Sequence, residues 1–386
     1  MNLSRRDLLK STALGMSAVG ISGCMSVGDG KESINLTKKN DISLKFMIEP
    51  TYLRFQGTPY EVGRQQGEQM RHMIRYTWRR VRRRFYEWDI RKLNLLTERL
   101  VDETSKRFPE EIEEIQGIAE GAGLDFEQIF LINRHLGYDV DCCCLAFQKS
   151  TLGVIAGGNL DDDPIYFLRD AVITGQYRTI AVTWPGTIGC GQGINEHGLG
   201  MVGTTALPQY TKEASKPSFL TDKFSSPQRV LRNCKTVAEA IEFMKRPDIA
   251  GHGNLLFVDA GNNVALVEKY KQTFVSVRYP DEDGFLYAVN NLLSEVTTKT
   301  RREKMESRNK DRIIAFEKYG KQIKKNKHVT LEIMKEILRD TYRNESDWSI
   351  CNYRAYMSTI LIPSRREFLV INGPANLGEY IRYSLR

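Results

Sequence analysis

The spacing of apolar positions along this chain changes once, near residue 141. From Tyr60 to Val101 they recur every three or four residues, the period of a helix with one buried face. A second helix is expected from Glu110 to Gly121, entered through Pro109 and stopped at Gly121 or Gly123. A third runs from Phe126 to His135. After residue 141 the pattern is that of strands. Cys143 to Phe147 and Val154 to Ala156 are short apolar runs around a polar turn, Gln148 to Gly153, which predicts a hairpin. Such a hairpin brings Asn159 and Asp161 back beside the cysteines. Further strands are expected at Tyr166–Leu168, Thr179–Trp184 and Leu199–Thr204, with a turn over Gly193–Gly198. Leu255–Asp259 and Val264–Glu268 form a second hairpin, and Phe274–Tyr279, Phe285–Val289, Ala355–Ile362 and Glu367–Ile371 complete the strands. Ser226–Arg232 and Thr236–Lys245 read as helices, and Lys299–Tyr319 and Thr330–Thr341 as charged, solvated ones. Strands and helices in separate runs argue for an α+β fold.

The first residues do not read as fold. Ser4-Arg5-Arg6-Asp7-Leu8-Leu9-Lys10 resembles a twin-arginine export signal, and Ser11–Ile21 is too short to span a bilayer permanently. Ile21-Ser22-Gly23-Cys24 resembles a lipobox, so Cys24 is the expected lipidation site and the cell envelope the expected location. Residues 25–45 are polar and suit a tether. About 340 residues remain, enough for one large domain or two closely packed lobes. With 41% hydrophobic and 27% charged residues the composition is ordinary for a globular protein. The formal charge of +8 is modest for this length and does not call for nucleic acid. Arg75, Arg79, Arg80, Arg82, Arg83 and Arg84, with Tyr76, Trp78, Phe85 and Trp88, invite a contact with anionic headgroups; they also fit a solvated helix face backed by an aromatic seam. There is no CxxC pair, no Gly-rich nucleotide loop and no repeat, hence no zinc or redox reading.

Three consecutive cysteines, Cys142, Cys143 and Cys144, stand out among the seven in the chain. A thiol at a strand start, with an amide and a carboxylate close by, suits a nucleophile; three small residues in a buried strand suit a core. A thiol at neutral pH is mostly protonated and needs a base, and no histidine adjoins the cysteines in sequence.

Gln56-Gly57-Thr58-Pro59-Tyr60-Glu61-Val62-Gly63, Phe108–Ala119, Leu131-Ile132-Asn133-Arg134, the cysteine strand with Gly158-Asn159-Leu160-Asp161, Ala288-Val289-Asn290, and Ser349-Ile350-Cys351 with Arg354 occur in order. This series resembles the acyl-coenzyme A:6-aminopenicillanic acid acyltransferase family of N-terminal-nucleophile (Ntn) hydrolases. The resemblance implies a four-layer αββα Ntn-hydrolase sandwich with a mostly helical N-terminal segment. It also implies a precursor cut between Asp141 and Cys142, giving an α chain from residues 46–141 and a β chain, the catalytic region, from residues 142–386. The freed α-amino group, of ordinary pKa about 7.7 to 8.0, then serves Cys142 as base. Asn290 matches the family's oxyanion-donor amide, Asp161 its carboxylate with Asn159 in support, and Arg354 the position that meets a substrate carboxylate.

Two departures stand out. Cys143 and Cys144 occupy positions where the family usually has Thr or Ser. The pattern of Cys, two small residues, an apolar residue and Ala selects Cys142, whereas ungapped spacing to Asp161 in the family's fungal member selects Cys143. Asp141 replaces a frequent glycine. The expected enzyme is an exported, self-processing cysteine acyltransferase or amide hydrolase that passes an acyl group through a thioester to an amine or water. It needs no metal or resident cofactor; acyl-coenzyme A is a candidate co-substrate. Its partners are a small-molecule acyl donor, an amine acceptor, the membrane through the anchor, and the two chains of one precursor, with no nucleic acid. The alternative is an envelope lipoprotein of the same fold that binds a ligand or partner without catalysis.

Overall fold

Two sheets are each covered on the outer face by helices, and Cys142, Cys143 and Cys144 lie in the strand second from the edge of one of them. The computed structural model describes residues 49–85, 89–135, 141–161, 165–206, 225–271, 273–294, 307–326, 329–342 and 349–386. The twin-arginine stretch, the lipobox with Cys24 and the tether lie outside the described residues, as do Trp88 and the first residues of the Lys299–Tyr319 helix.

The first sheet has eight strands in the order β1 (Tyr52–Gly57), β4 (Phe167–Ile173), β5 (Thr179–Thr183), β6 (Gln192–Asn195), β7 (Gly200–Thr205), β8 (Gly251–Val258), β9 (Val264–Lys271) and β10 (Thr273–Arg278). All its pairs are antiparallel except β1 with β4. The second sheet has the order β11 (Phe285–Ala288), β2 (Cys142–Phe147), β3 (Ile155–Asp161), β12 (Ala355–Ile362), β13 (Glu367–Asn372) and β14 (Ile381–Ser384), antiparallel throughout. Side chains alternate across each strand. One set, including Ala146, Leu168, Val182, Val202, Leu256, Leu266 and Leu361, fills the space between the sheets. The other set meets helices. On the first sheet these are α1 (Pro59–Gln69), α2 (Arg71–Arg82), α4 (Pro109–Ala122) and α5 (Phe126–His135) at one end, and α6 (Ser225–Asn233) and α7 (Val237–Lys245) at the other. On the second sheet they are α8 (Ser307–Asn326) and α9 (Leu331–Leu338). The layering is α, β, β, α, as the resemblance implies.

The expected single helix from Tyr60 to Val101 is instead α1, α2, a short 3-10 turn at Arg83–Phe85 and α3 (Ile90–Arg107). The stripe Gly63, Gly67, Met70, Ile74, Thr77 and Val81 keeps its spacing of three or four straight through the bend at Met70, so periodicity alone does not reveal it. Asp89 caps α3 by accepting from the Arg91 and Lys92 amides. α1 and α4 are packed backbone to backbone. A Cβ on Gly63 would lie 2.0 Å from the Glu114 carbonyl oxygen, and one on Gly117 would lie 2.1 Å from that of Tyr60. Only glycine permits that approach, which gives the glycines in two of the quoted motifs a structural reason. Arg71 and Arg75 donate to carbonyls at the end of α4, at Gly121, Ala122 and Gly123, where the helix dipole favours cations. Trp78 and Phe85 pack on the core beneath, as the aromatic-seam reading of the basic stretch expects, whereas Tyr76 is exposed.

Residues 193–195 of the expected Gly193–Gly198 turn lie in strand β6. Gly193 sits so close to β5 that a Cβ there would lie 2.7 Å from that of Ala181, so the glycine serves the sheet. β1 and β14 are not among the expected strands, although both alternate: Leu53 and Phe55 lie deeper than Arg54 and Gln56, and Ile381 and Tyr383 deeper than Arg382 and Ser384. The charged α8 is not wholly solvated, since Asn309, Arg312, Ala315, Phe316 and Ile323 are buried. Glu111 and Glu114 of α4 are buried against cations from beyond residue 142: Glu111 pairs with Arg229, and Glu114 with Arg169 and Arg232. Removing one partner of such a cluster costs about 3–5 kcal/mol, because it leaves a buried charge unpaired.

Candidate active site

Strand alternation separates the three cysteines. Cys142 and Cys144 point between the sheets, whereas Cys143 points into the layer formed by α8 and α9. The strand begins at Cys142, one residue earlier than its apolar run suggests. All six described cysteines are buried, and no disulfide links them among the described residues. The Cys143 thiol donates to the Ile350 carbonyl at 3.7 Å. Burial, with smaller contributions from Asp161 and Cys142 and against the opposing pull of Arg312, pushes this thiol up to about 12. Burial also raises Cys144 well above the thiol range. Both are placed to remain neutral packing groups at neutral pH.

Cys142 has polar neighbours. Its sulfur accepts from the Thr205 backbone N–H at 3.4 Å and from Asn290 Nδ2 at 3.6 Å. Its own backbone N–H donates to Asn290 Oδ1 at 3.1 Å. One side-chain amide therefore spans both the sulfur and the nitrogen of this residue. Asn290 follows β11, the neighbour of β2 in the same sheet, and Thr205 ends β7 in the facing sheet, so the site lies where the ends of the two sheets meet. Asn290 is fixed in turn by donating to the Thr205 carbonyl at 2.8 Å and hydroxyl at 3.1 Å. Its flanking residues are clamped by Asn254 of β8, whose amide donates to the Val289 and Asn291 carbonyls at 2.9 and 3.0 Å and to the Thr204 hydroxyl at 2.8 Å.

The peptide unit before Cys142 is held on its other side as well. The Asp141 carbonyl accepts from the Asp161 backbone N–H at 2.9 Å. Asp161 is the last residue of β3 and, like Asn159, lies within that strand. Its side chain faces α8, where Arg312 donates to Oδ2 at 2.6 Å and Asn352 donates to the same oxygen at 3.2 Å. Arg312 also reaches the Cys142 carbonyl at 3.4 Å and the Ser349 carbonyl at 3.1 Å. Burial works against the guanidinium charge, but Asp161, Cys143 and Asp141 together outweigh it and raise the Arg312 pKa above its ordinary value. Asn159 donates to the Leu338 and Ile350 carbonyls at 3.0 and 2.8 Å, tying β3 to the end of α9 and to the 349–352 segment. Arg354 lies 3.7 Å from the Asp141 carboxylate, and its backbone N–H donates to Asn352 Oδ1 at 2.8 Å.

Cys142, Asn290, Asp141, Asp161 and Arg354 are thus brought together, while Cys143 faces away and Asn159 braces the outer layer. Arg312, Asn352, Thr205 and Asn254 are absent from the sequence-derived set. Arg312 is hidden there as one charge in a charged helix; its signal is that its apolar neighbours Ala315 and Phe316 put it on the buried face. Chemically, a sulfur with two N–H donors beside a peptide carbonyl that also receives an N–H is an arrangement for acyl transfer.

The family model of the acyl-coenzyme A:6-aminopenicillanic acid acyl-transferase matches residues 161–366, more than half of the chain. The chain belongs to that family, and as a member it is an enzyme of the acyltransferase and amide-hydrolase class. No curated protein matches it in sequence. Among solved structures it is similar to an N-acylethanolamine-hydrolyzing acid amidase ortholog from Caenorhabditis elegans, at 16% identity over 58% of this chain and 93% of that one, with a TM-score of 0.43. It is also similar to a mutant conjugated bile acid hydrolase from Clostridium perfringens (14% identity, 63% and 96% covered, TM-score 0.38) and to penicillin V acylase from Agrobacterium tumefaciens (14%, 60% and 83%, TM-score 0.36).

Proposed function

We propose that this chain cuts itself between Asp141 and Cys142 and that the new N-terminal Cys142 then carries acyl groups from an amide or thioester to an amine or water. The observation that carries the proposal is the single Asn290 amide, which meets both the Cys142 sulfur and its backbone nitrogen. In the cut, the sulfur attacks the Asp141 carbonyl carbon. The C–S bond forms, the C–N bond breaks, and the thiol proton passes to the departing nitrogen. Water then adds to the thioester, leaving a carboxylate on Asp141 and a thiol and a free amino group on Cys142. The Asp161 N–H, already on the Asp141 carbonyl oxygen, is a donor for the negative charge that develops there.

In turnover the α-amino group takes the thiol proton and returns it to the leaving amine. Asn290 Nδ2 is the oxyanion donor, and Asn290 Oδ1 is the acceptor that orients the amine. Arg312 neutralises Asp161 and steadies the Cys142 carbonyl, so the carboxylate acts on the nucleophile through a guanidinium. These steps need no metal or resident cofactor, and acyl-coenzyme A is one class of donor that fits them. The two chains are expected to stay together after the cut, because β1 belongs to the eight-stranded sheet and Glu111 and Glu114 are paired with cations of the second chain. Export and lipid anchoring at Cys24 belong to the same reading.

N-terminal sequencing of the purified protein tests it. Two chains are expected, the second starting at Cys142. A start at Cys143 would move the nucleophile by one residue. An intact, inactive chain would favour a ligand-binding envelope lipoprotein instead.

Arg354, about a third exposed, suits an anion at the polar end of a substrate. For a carboxylated substrate Arg354→Ala is expected to raise KM, by about 1.5–3 kcal/mol of lost binding for a hydrogen bond to a charged group. The neutral amide of the same compound should barely respond. Equal losses with both forms would remove the carboxylate assignment.

A further inference from the structure

The peptide bond at the proposed cut is enclosed by a circuit of four residues. The Asp141 carbonyl is held by the Asp161 N–H at 2.9 Å. The Asp161 carboxylate is held by the Asn352 amide at 3.2 Å, the other end of that amide holds the Arg354 backbone N–H at 2.8 Å, and the Arg354 guanidinium returns to the Asp141 carboxylate at 3.7 Å. Three of these links run through β3 and the segment leading into β12. The fourth depends on an acidic side chain, that of Asp141, directly before the cysteine.

We infer that Asp141 is a positioning residue for its own scission, borrowing Arg354, the proposed substrate anchor, until the chain is cut. The inference rests on the self-cleavage reading above. The ion pair fixes the side chain of Asp141 while the Asp161 N–H fixes its carbonyl, so the acyl carbon next to Cys142 cannot rotate out of the donor's reach. When the C–N bond breaks and water releases Asp141 from sulfur, Asp141 is no longer joined to β2. An incoming anion can then take the place of the Asp141 carboxylate beside Arg354. One guanidinium serves two anions in succession, an internal carboxylate during maturation and a substrate carboxylate during turnover. Precursor and substrate therefore compete for the same site, which keeps the uncut chain from binding anionic substrate.

The test is the rate at which freshly made full-length chain becomes two chains, followed on denaturing gels. Asp141→Asn and Arg354→Gln are each expected to split roughly 2- to 5-fold more slowly, the range of a partly exposed ion pair. The double variant should be no slower than either single one, since both remove the same contact. Asp141→Glu should keep most of the rate, and added salt should slow the wild type toward the Asp141→Asn variant. Additive losses in the double variant, or single variants that split at the wild-type rate, overturn the inference and leave self-cleavage standing. A wild-type chain that never splits overturns both, and this is visible without any variant.

Discussion

Cys142→Ala is expected to give one uncut chain with acyl transfer at background level, whereas Cys143→Ala still splits and turns over. The two residues are neighbours in one strand, so the contrast depends only on which face each side chain takes. The Cys142 sulfur faces Thr205 and Asn290, with N–H donors at 3.4 and 3.6 Å. Cys143 faces Ile350 and the α8–α9 layer, and its burial disfavours the thiolate a nucleophile must become. Removing a covalent nucleophile typically costs on the order of a million-fold in turnover. Removing the Cys143 sulfur costs about 1 kcal/mol of packing, like other small deletions in a core. Denaturing gels and single-turnover assays on the two variants decide the matter. Split chains from Cys142→Ala, or an unsplit chain from Cys143→Ala, would transfer the role to Cys143.

That assignment was only partly legible in the sequence. Two spacing arguments pointed to different cysteines, and nothing in the order of letters says which face of a strand a residue takes. Register decides it: Cys142 pairs with Leu160 and Cys143 with Asn159 in β2–β3. The strands around the site were readable because their apolar runs are bounded by polar turns, as in Leu255–Asp259 and Val264–Glu268. The bend at Met70 was not, because the buried stripe continues through it, and β6 was not, because its one glycine, Gly193, is a strand glycine pressed against β5. The site residues found from sequence are those next to a strand end or a motif, such as Asp161 and Asn290. Those missed act across long separations: Arg312 comes from a helix 170 residues after Cys142, and Asn254 steadies Asn290 from the other sheet. Polar residues of this kind carry no local signature, since only the fold reveals what they touch.

Asn290→Ala is expected to fold and to lose about 100- to 1000-fold in kcat, the usual loss for one oxyanion donor. The Asn290 side chain makes at least four contacts, so the variant needs a companion. Asn290→Asp keeps an oxygen for the Cys142 nitrogen but has no N–H to offer the sulfur or an oxyanion. If donation to the developing negative charge is the main role, the Asp variant should be at least as slow as the Ala variant. If orientation of the α-amino group is the main role, the Asp variant should recover much of the rate. Either change also removes the 2.8 Å donation from Asn290 to the half-buried Thr205 carbonyl, a hydrogen bond of about 0.5–1.5 kcal/mol. Melting temperatures must therefore be measured beside the rates, and turnover compared well below the lower midpoint. Chain splitting adds an independent reading, because Asn290 already meets the sulfur in the uncut chain, so slowed splitting should accompany slowed turnover. Near-normal kcat in a folded Asn290→Ala protein would make Asn290 a structural link between β11 and β7 and would leave the oxyanion to the backbone N–H groups of Thr205 and Asp161.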